Sequence, residues 1–294
     1  MRILKALVII TVVVTTPVVQ ARPQYHSAAP VAYMLDMSSG TVLFDQGSDR
    51  KIQPASMTKL MTTYVAFDLI SRGKLDPGQK IVVRPETWAA WQNTGSTMFL
   101  KPNEQVRVSD LLHGVVTLSG NDAAIVLAEG ITGSQATFVE RMNSTAKRLG
   151  MRDSHFETAN GWPDQGRTTT TARDLALLGA RTIHDFPVLY RQFYGLTRFR
   201  WNGIEQPNRN PILGKIDGAD GIKTGHTNGA GYCFIGTAEQ HGRRLLIVVA
   251  GLESSGDRAF ESVRFLNWGF KEWRTQQLYK RGSPVTKIPV QLGT

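Results

Sequence analysis

Continuous and alternating apolar runs lie near both ends of the main body of the chain and predict β-strands there. The runs at 31–37 and 41–45 are joined by Ser38-Ser39-Gly40, which predicts a hairpin. Residues 231–238 and 244–252 form two stronger apolar, β-branched runs with a short polar connection. Because these strands connect through hairpins, the sheet that they form is expected to be antiparallel.

Apolar positions at helical spacing fill the middle of the chain and predict a succession of helices. The predicted helices cover residues 56–70, 109–118, 123–129, 134–149, 172–182 and 259–274. Residues 76–108 carry several turn-forming residues and are expected to be irregular. Strands at both ends with helices between them predict an α/β (α+β) fold, in which an antiparallel five-stranded sheet is flanked by helices and carries an inserted all-helical lobe. A cleft between the sheet and the lobe is then the expected ligand site.

The beginning of the chain is typical of a secretory signal. Arg2 and Lys5 precede an apolar stretch, and Val19-Gln20-Ala21 is a small-residue cleavage site, so residues 1–21 are expected to be removed. An uncleaved membrane anchor is the alternative. Removal of residues 1–21, which contain Arg2 and Lys5, would change the formal net charge from +10 to 10 − 2 = +8. A basic exported protein suggests an anionic membrane or polymer as its partner, whereas dispersed Lys and Arg residues give no sign of nucleic-acid binding.

Candidate catalytic chemistry begins at Ser56, which follows Pro54 at the start of a mostly apolar helix. Lys59 stands three residues later on the same helix face, where an amine can take the proton of a hydroxyl nucleophile. The Ser-x-x-Lys tetrad recurs at Ser71–Lys74 and Ser144–Lys147, so the tetrad alone is weak evidence. The first of these copies lies at a helix end and the second in a polar helical stretch, which favours Ser56.

Two further short motifs strengthen the case for Ser56. Ser119-Gly120-Asn121 forms a tight polar turn between two predicted helices, and Lys223-Thr224-Gly225 begins a predicted hairpin strand. Ser-x-x-Lys and Ser-x-Asn are each expected about once by chance in a chain of this length, so the evidence lies in the conjunction of all three. Class A β-lactamases and penicillin-binding proteins carry this set of motifs.

On these motifs the chain resembles the low-molecular-mass penicillin-binding proteins, the exported D-alanyl-D-alanine carboxypeptidases of bacterial cell walls. The resemblance covers most of residues 28–275 and includes residues 171–176, 206–210 and 221–227. It implies a β-lactamase/transpeptidase-like fold and serine acyl transfer with no metal and no cofactor. The implied substrates are peptidoglycan pentapeptide stems, with β-lactam antibiotics as covalent inhibitors. The implied location is the periplasm or cell envelope of a bacterium, at the outer face of the inner membrane, with peripheral membrane contact.

The resemblance also implies catalytic roles for particular residues. Ser56 would attack the carbonyl of the penultimate D-Ala, Lys59 would take its proton, and Ser119 would relay a proton to the leaving D-Ala. The backbone N–H groups of Ser56 and His226 would form an oxyanion hole. Lys59 must be neutral for this role, and we expect burial and the nearby ammonium of Lys223 to lower its pKa.

Other residues are implied to bind the substrate. Asn121 would hold the substrate amide and fix Lys59 by a hydrogen bond. The terminal carboxylate would bind Lys223, Thr224 and Arg209. Because Gly225 has no side chain, the substrate could approach this strand as an additional strand.

Two other functions stay open at this point. A serine β-lactamase on the same fold would need a glutamate to activate water, and Glu157 is the candidate, although Asn160-Gly161-Trp162 beside it favours the carboxypeptidase loop and a surface position for Glu157. A β-lactam-sensing or wall-binding module would acylate without turnover. The expected domains are a signal peptide at 1–21, the carboxypeptidase domain at 22–275, and a linker with the start of a truncated β-rich second domain at 276–294.

Overall fold

A computed structural model describes residues 24–274 and 282–284 and gives the order of the elements along the chain. The strands are β1 (Val31–Asp36), β2 (Thr41–Gln46), β3 (Lys80–Val82), β4 (Gln105–Arg107), β5 (Arg198–Trp201), β6 (Ile204–Pro207), β7 (Ala219–Thr227), β8 (Gly231–Gln240) and β9 (Arg243–Leu252). The helices are α1 (Lys59–Ser71), α2 (Pro85–Trp91), α3 (Val108–Val116), α4 (Asn121–Thr132), α5 (Gln135–Leu149), α6 (Ala172–Asp185), α7 (Pro187–Phe193) and α8 (Ser255–Glu272). The predicted signal and most of the predicted second-domain segment lie outside the described residues.

The central sheet has five strands in the order β2-β1-β9-β8-β7, and every neighbouring pair is antiparallel. This confirms the predicted sheet and its hairpins. Strand β7 lies at one edge, so one side of its backbone has no strand partner. An unpaired edge offers N–H and C=O groups to an extended ligand, which makes β7 the natural wall of a binding cleft.

The sheet is covered by helices on both faces. Along β9, Leu246 and Val248 belong to the core that contains α6, whereas Leu245 and Ile247 belong to the core that contains α8. This alternation follows from the period of two along a strand. All four side chains are fully buried, and burial of each stabilises the fold by about 2 kcal/mol.

Helices α2 to α5 form the inserted lobe between α1 and α6. Helix α4 lies at its centre, packed against α1, α2, α3 and α5. The fully buried side chains of Ala123, Ala124 and Ala128 are small enough to let these neighbours approach α4 closely. Since α4 begins at Asn121, its N-terminus brings the Ser119-Gly120-Asn121 turn to the edge of the lobe that faces β7.

The expectation that residues 76–108 are irregular is wrong, and the lobe is not entirely helical. Strands β3 and β4 pair as a two-stranded ribbon, and Pro85 occupies the first turn of α2. The two strands have three residues each and stand far apart in sequence, so neither shows a periodic pattern. The short helix α7 was also not predicted, although Pro187 is a typical first residue of a helix.

Helix starts follow their capping residues where a cap is present. Ser134 and Thr171 cap α5 and α6, and each accepts a hydrogen bond from a backbone N–H three residues later. Ser109, at the start of the helix predicted for residues 109–118, is not a cap, because α3 begins one residue earlier. Ser254 caps α8 and places its start four residues before the predicted one. Every helix within residues 24–274 and 282–284 is too short or too polar to span a bilayer.

Candidate active site

An open cleft with a volume of about 1090 Å³ separates β7 from the helical lobe. Predicted site residues that line it are Ser56, Ser119, Asn121, Arg209, Thr224, Gly225 and His226. Lys59 and Lys223 lie beneath its surface, with side chains that are 0% and 4% exposed. The structure therefore brings together residues that are more than 160 positions apart in sequence, as the three-motif interpretation requires.

Ser56 and Lys59 are held by a single turn of 3-10 helix, Ala55–Thr58, that leads directly into α1. Residues three apart eclipse each other in a 3-10 turn, and Lys59 Nζ lies 3.0 Å from Ser56 Oγ. The same nitrogen lies 2.7 Å from Asn121 Oδ1 and 2.6 Å from the carbonyl oxygen of Asn160. A neutral amine has two N–H donors and one lone pair. Two acceptor oxygens and one hydroxyl match that set, with the lone pair left for the hydroxyl proton of Ser56.

Burial lowers the pKa of Lys59 to about 7, because the charged form loses its hydration. Arg209 lowers this pKa further, and Asp122 opposes both effects. The expected effect of burial is therefore confirmed. Arg209 is a further cationic neighbour of Lys59, and the repulsion between Lys59 and Lys223 acts on both amines.

Ser119 and Lys223 form a second hydrogen-bonded pair on the opposite wall. Lys223 Nζ donates to Ser119 Oγ at 2.9 Å and to the carbonyl oxygen of Thr224 at 3.0 Å. Burial lowers the pKa of Lys223 well below its usual value, and repulsion from Lys59, Arg209 and Arg258 adds to the effect. The repulsion between the two lysines disfavours the state in which both are charged, and Arg209 is the exposed and permanently charged group nearby.

The backbone of Ser119 has a φ of 60°, in the left-handed region that non-glycine residues rarely adopt. This conformation costs on the order of 1 kcal/mol. It turns the chain between α3 and α4 so that Ser119 and Asn121 line the same cleft. Strain of this kind concentrates at functional positions, and here it orients a hydroxyl toward Lys223.

Asn121 connects Lys59 to the loop above the cleft. Its Oδ1 accepts from Lys59, its Nδ2 donates to the carbonyl oxygen of Thr94 at 2.9 Å, and its backbone N–H donates to Ser96. The neighbouring Asp122 is buried and accepts a hydrogen bond from the backbone N–H of Met98 at 2.8 Å. These contacts fix the 94–98 loop against the N-terminus of α4.

Gly225 lies where β7 passes the 3-10 turn that carries Ser56. A Cβ at this position would lie 2.6 Å from the carbonyl oxygen of Pro54 and 3.2 Å from Met57 Cγ. Glycine is therefore required for the close approach of these two backbones. The adjacent His226 is exposed, and its ring stacks on Tyr232 with centroids 3.9 Å apart.

Arg258 was not predicted, yet it lines the cleft from α8. Its guanidinium lies over the ring of Tyr232 at 5.5 Å, and its Nη1 lies 3.5 Å from the carbonyl oxygen of Gly225. Its Nε is buried with no hydrogen-bond partner among the described residues. A cation near a helix N-terminus opposes the helix dipole, and this is the signal that could have identified Arg258 from the sequence.

The competing candidates from the sequence lie elsewhere. Ser71 and Ser144 are exposed and donate to backbone carbonyl groups of their own helices. Glu157 pairs with His155 at 2.7 Å and does not line the cleft, as its expected surface position requires. Within the described part of the chain, no group of three or more His, Cys, Asp or Glu side chains could hold a metal ion.

Several known proteins are similar to this chain in sequence and in fold. D-alanyl-D-alanine carboxypeptidase DacC of Escherichia coli (strain K12) is 42% identical over 246 residues, which cover 82% of this chain and 61% of that protein. Penicillin-binding protein 5 of Haemophilus influenzae has a TM-score of 0.81 at 38% identity, covering 84% of this chain and 72% of that chain. Penicillin-binding protein D2 of Listeria monocytogenes in its ampicillin-bound form has a TM-score of 0.74 at 30% identity, covering 85% of this chain and 100% of that chain.

This chain thus spans about three fifths of the length of DacC. A family model described as Peptidase S11, D-alanyl-D-alanine carboxypeptidase, matches residues 17–254. That range includes all three motifs and the whole central sheet, and it ends just before α8. The chain belongs to the Peptidase S11 family of D-alanyl-D-alanine carboxypeptidases.

Proposed function

We propose that the protein is a serine D-alanyl-D-alanine carboxypeptidase that removes the terminal D-Ala from peptidoglycan stem peptides through an acyl-enzyme on Ser56. The observation that carries the proposal is the environment of Lys59. This lysine is fully buried, has a pKa lowered to about 7, and lies 3.0 Å from the hydroxyl of Ser56. A hydroxyl nucleophile next to a neutral amine is the arrangement that serine acyl transfer needs.

In the acylation step, Ser56 Oγ attacks the carbonyl carbon of the penultimate D-Ala, and its proton moves to Lys59 Nζ. The backbone N–H groups of Ser56 and His226 stabilise the resulting oxyanion, an effect of about 3 kcal/mol for each donor. Both groups lie at the cleft, where β7 packs against the 3-10 turn.

Collapse of this intermediate breaks the amide C–N bond and needs a proton on the leaving nitrogen. Ser119 gives that nitrogen its hydroxyl proton and regains one from Lys223, to which it is hydrogen bonded. The proton balance is complete when Lys59 passes the proton that it took from Ser56 to Lys223, which has given one to Ser119. Water then attacks the ester by the same route, with Lys59 as the base, and releases the shortened peptide.

The terminal carboxylate of the substrate fits the cationic end of the cleft. Lys223, Arg209 and Arg258 converge there, and the hydroxyl of Thr224 lines the same wall. Binding of the carboxylate would compensate their mutual repulsion and favour a protonated Lys223. The free edge of β7 at Gly225 offers backbone groups to the extended peptide.

β-Lactam antibiotics are expected to acylate Ser56, because they present a reactive amide next to a carboxylate. The ampicillin-bound form of the Listeria monocytogenes protein supports this expectation by similarity. We further propose that residues 1–21 direct export and that residues 22–275 form the carboxypeptidase domain. The protein would then act in the bacterial periplasm or cell envelope, at the outer face of the inner membrane, with peripheral membrane contact through its basic surface.

One assay separates this function from the two alternatives. The protein is given diacetyl-Lys-D-Ala-D-Ala and a chromogenic cephalosporin in parallel, with Ser56→Ala as the inactive variant and Ser71→Ala as the matched control. Release of D-Ala by the wild type and by Ser71→Ala, and not by Ser56→Ala, is expected. Fast cephalosporin turnover without D-Ala release would indicate a β-lactamase and contradict the proposal. Acylation without turnover of either compound would indicate a sensor and contradict it as well.

A further inference from the structure

An aromatic pair, Trp91 and Trp162, forms part of the cleft wall without any part in the mechanism described above. Their rings meet edge to face, with centroids 5.8 Å apart and planes at 88°. Trp91 is half-buried against the core of the lobe, whereas Trp162 is 41% exposed and lines the cleft. The partly buried ring therefore supports an exposed ring that faces the ligand space.

The position of the Trp162 ring is fixed relative to Asn121. Both approach Gly95: a Cβ there would lie 2.8 Å from Asn121 Nδ2 and 2.9 Å from Trp162 Cζ3. Gly95 has a φ of 66°, so both its conformation and its lack of a side chain allow this approach. The tryptophan ring and the amide nitrogen of Asn121 therefore both lie close to Gly95 on the cleft wall.

A second connection ties Trp162 to Lys59. The backbone N–H of Trp162 donates to Asn160 Oδ1 at 2.9 Å, and the carbonyl oxygen of the same asparagine accepts from Lys59. Gly161 between them packs so closely on Ala55 that a Cβ would collide with its carbonyl oxygen. The loop that carries Trp162 is therefore held in place by the catalytic centre itself.

Contacts along the lobe give the order of the cleft from one end to the other. Arg209 donates to the carbonyl oxygen of Leu118, and Lys223 donates to Ser119. Asn121 and then Trp162 follow on the same wall. In the proposed reaction, the cationic end of the cleft therefore lies on the side of the leaving D-Ala, which carries the carboxylate. The aromatic end of the cleft lies on the side of the acyl group.

We propose that Trp162, supported by Trp91, is a specificity subsite for an apolar group on the acyl side of the scissile bond. This inference rests on the proposed function. Asn121 Nδ2 has two hydrogens, and one of them bonds to Thr94. The other is free for the substrate carbonyl that precedes the acylated residue. The group attached to that carbonyl then lies against the face of Trp162, where an aromatic or aliphatic group gains contact area.

The test compares two penicillins that differ only in this group. Benzylpenicillin carries a phenylacetyl amide, and 6-acetamidopenicillanic acid keeps the amide and lacks the phenyl ring. Second-order acylation rates are measured for the wild type, Trp162→Ala and Trp162→Phe. Phe260→Ala is the matched control, because Phe260 is an exposed aromatic residue outside the cleft.

The ratio of the two rates is the readout, since a general loss of folding would lower both rates together. We expect Trp162→Ala to lower the ratio of the benzylpenicillin rate to the 6-acetamidopenicillanic acid rate roughly five- to tenfold. Trp162→Phe and Phe260→Ala should leave it within about twofold. An unchanged ratio in Trp162→Ala, or an equal loss with both compounds, would overturn the subsite and leave the proposed function intact. Failure of both penicillins to acylate the wild type would overturn the proposed function and the subsite with it.

Discussion

Lys59 Nζ lies 3.0 Å from Ser56 Oγ and is fully buried beneath it. The pair lies at the junction of a 3-10 turn with α1, so the backbone geometry itself sets the distance between the proposed nucleophile and the proposed base. A surface pair at the same sequence spacing, such as Ser144 and Lys147, has the tetrad without the burial. Burial therefore distinguishes the copy of the motif that we propose to be catalytic from the other two.

The acylation rate should depend on pH through Lys59. Its pKa is lowered to about 7, so the amine is mostly charged below pH 7 and mostly neutral above it. Only the neutral form can take the proton of Ser56, so the rate of acylation should rise with pH and reach half its plateau near pH 7. Stopped-flow acylation by a β-lactam between pH 5 and pH 9 measures this profile (the range spans about two units on either side of the midpoint). A flat profile across this range would contradict a titrating Lys59.

Arg209 and Lys223 should both affect that profile. Arg209 is a permanent charge that lowers the pKa of Lys59, and Lys59 and Lys223 repel each other when both are charged. We expect Arg209→Gln and Lys223→Gln each to move the acidic limb of the acylation profile to higher pH. Both variants should lose roughly 10- to 100-fold in kcat/KM for the peptide through weaker carboxylate binding. An acidic limb that stays in place in both variants would show that neither cation lowers the pKa of Lys59.

Ser119→Gly separates the hydroxyl of Ser119 from its backbone. Glycine accepts a φ of 60° without strain, so the free energy of unfolding should change by less than about 1 kcal/mol. The acylation rate should nevertheless fall by roughly 10²- to 10⁴-fold, because the proton relay is lost. Ser119→Ala is the matched variant, with the same loss of the hydroxyl and the strain retained. Acylation at the wild-type rate in both variants would remove Ser119 from the mechanism.

Gly225→Ala tests the close approach between β7 and the 3-10 turn. The new Cβ would lie 2.6 Å from the backbone oxygen of Pro54, which cannot move without displacing Ser56. We expect a loss of about 1–3 kcal/mol in the free energy of unfolding together with a slower acylation. Gly256→Ala is the control, because its nearest atom would be Ser254 Oγ at 3.5 Å. Equal stability of the two variants by thermal unfolding would show that Gly225 is not sterically required.

Much of the fold followed from local patterns. The hairpin around Ser38-Ser39-Gly40 is present, and the starts of α5 and α6 lie within one residue of the predicted ones. These features depend on turn chemistry, capping and periodicity, which act over a few residues. The β3–β4 ribbon was missed because its strands are short and β3 packs on α4, which is a contact distant in sequence.

The candidate site was likewise predictable where residue types and spacing identify it, and not where distant contacts determine it. The motif residues Ser56, Ser119 and Lys223 could be identified because their types and spacing are unusual in combination. The hydrogen bond from Lys59 to the carbonyl oxygen of Asn160 could not be predicted, since a backbone oxygen leaves no trace in residue identity. The balance of charges around Lys59 was likewise inaccessible, because it depends on which groups are buried and how far apart they lie.

The most direct test of the account is the mass of the protein after exposure to benzylpenicillin. We expect one covalent adduct for each molecule of the mature protein, located on the peptide that contains Ser56. Ser56→Ala should show no adduct, whereas Ser144→Ala should react like the wild type because Ser144 lies exposed on α5. An unmodified wild-type protein, or an adduct that persists in Ser56→Ala, would contradict the account.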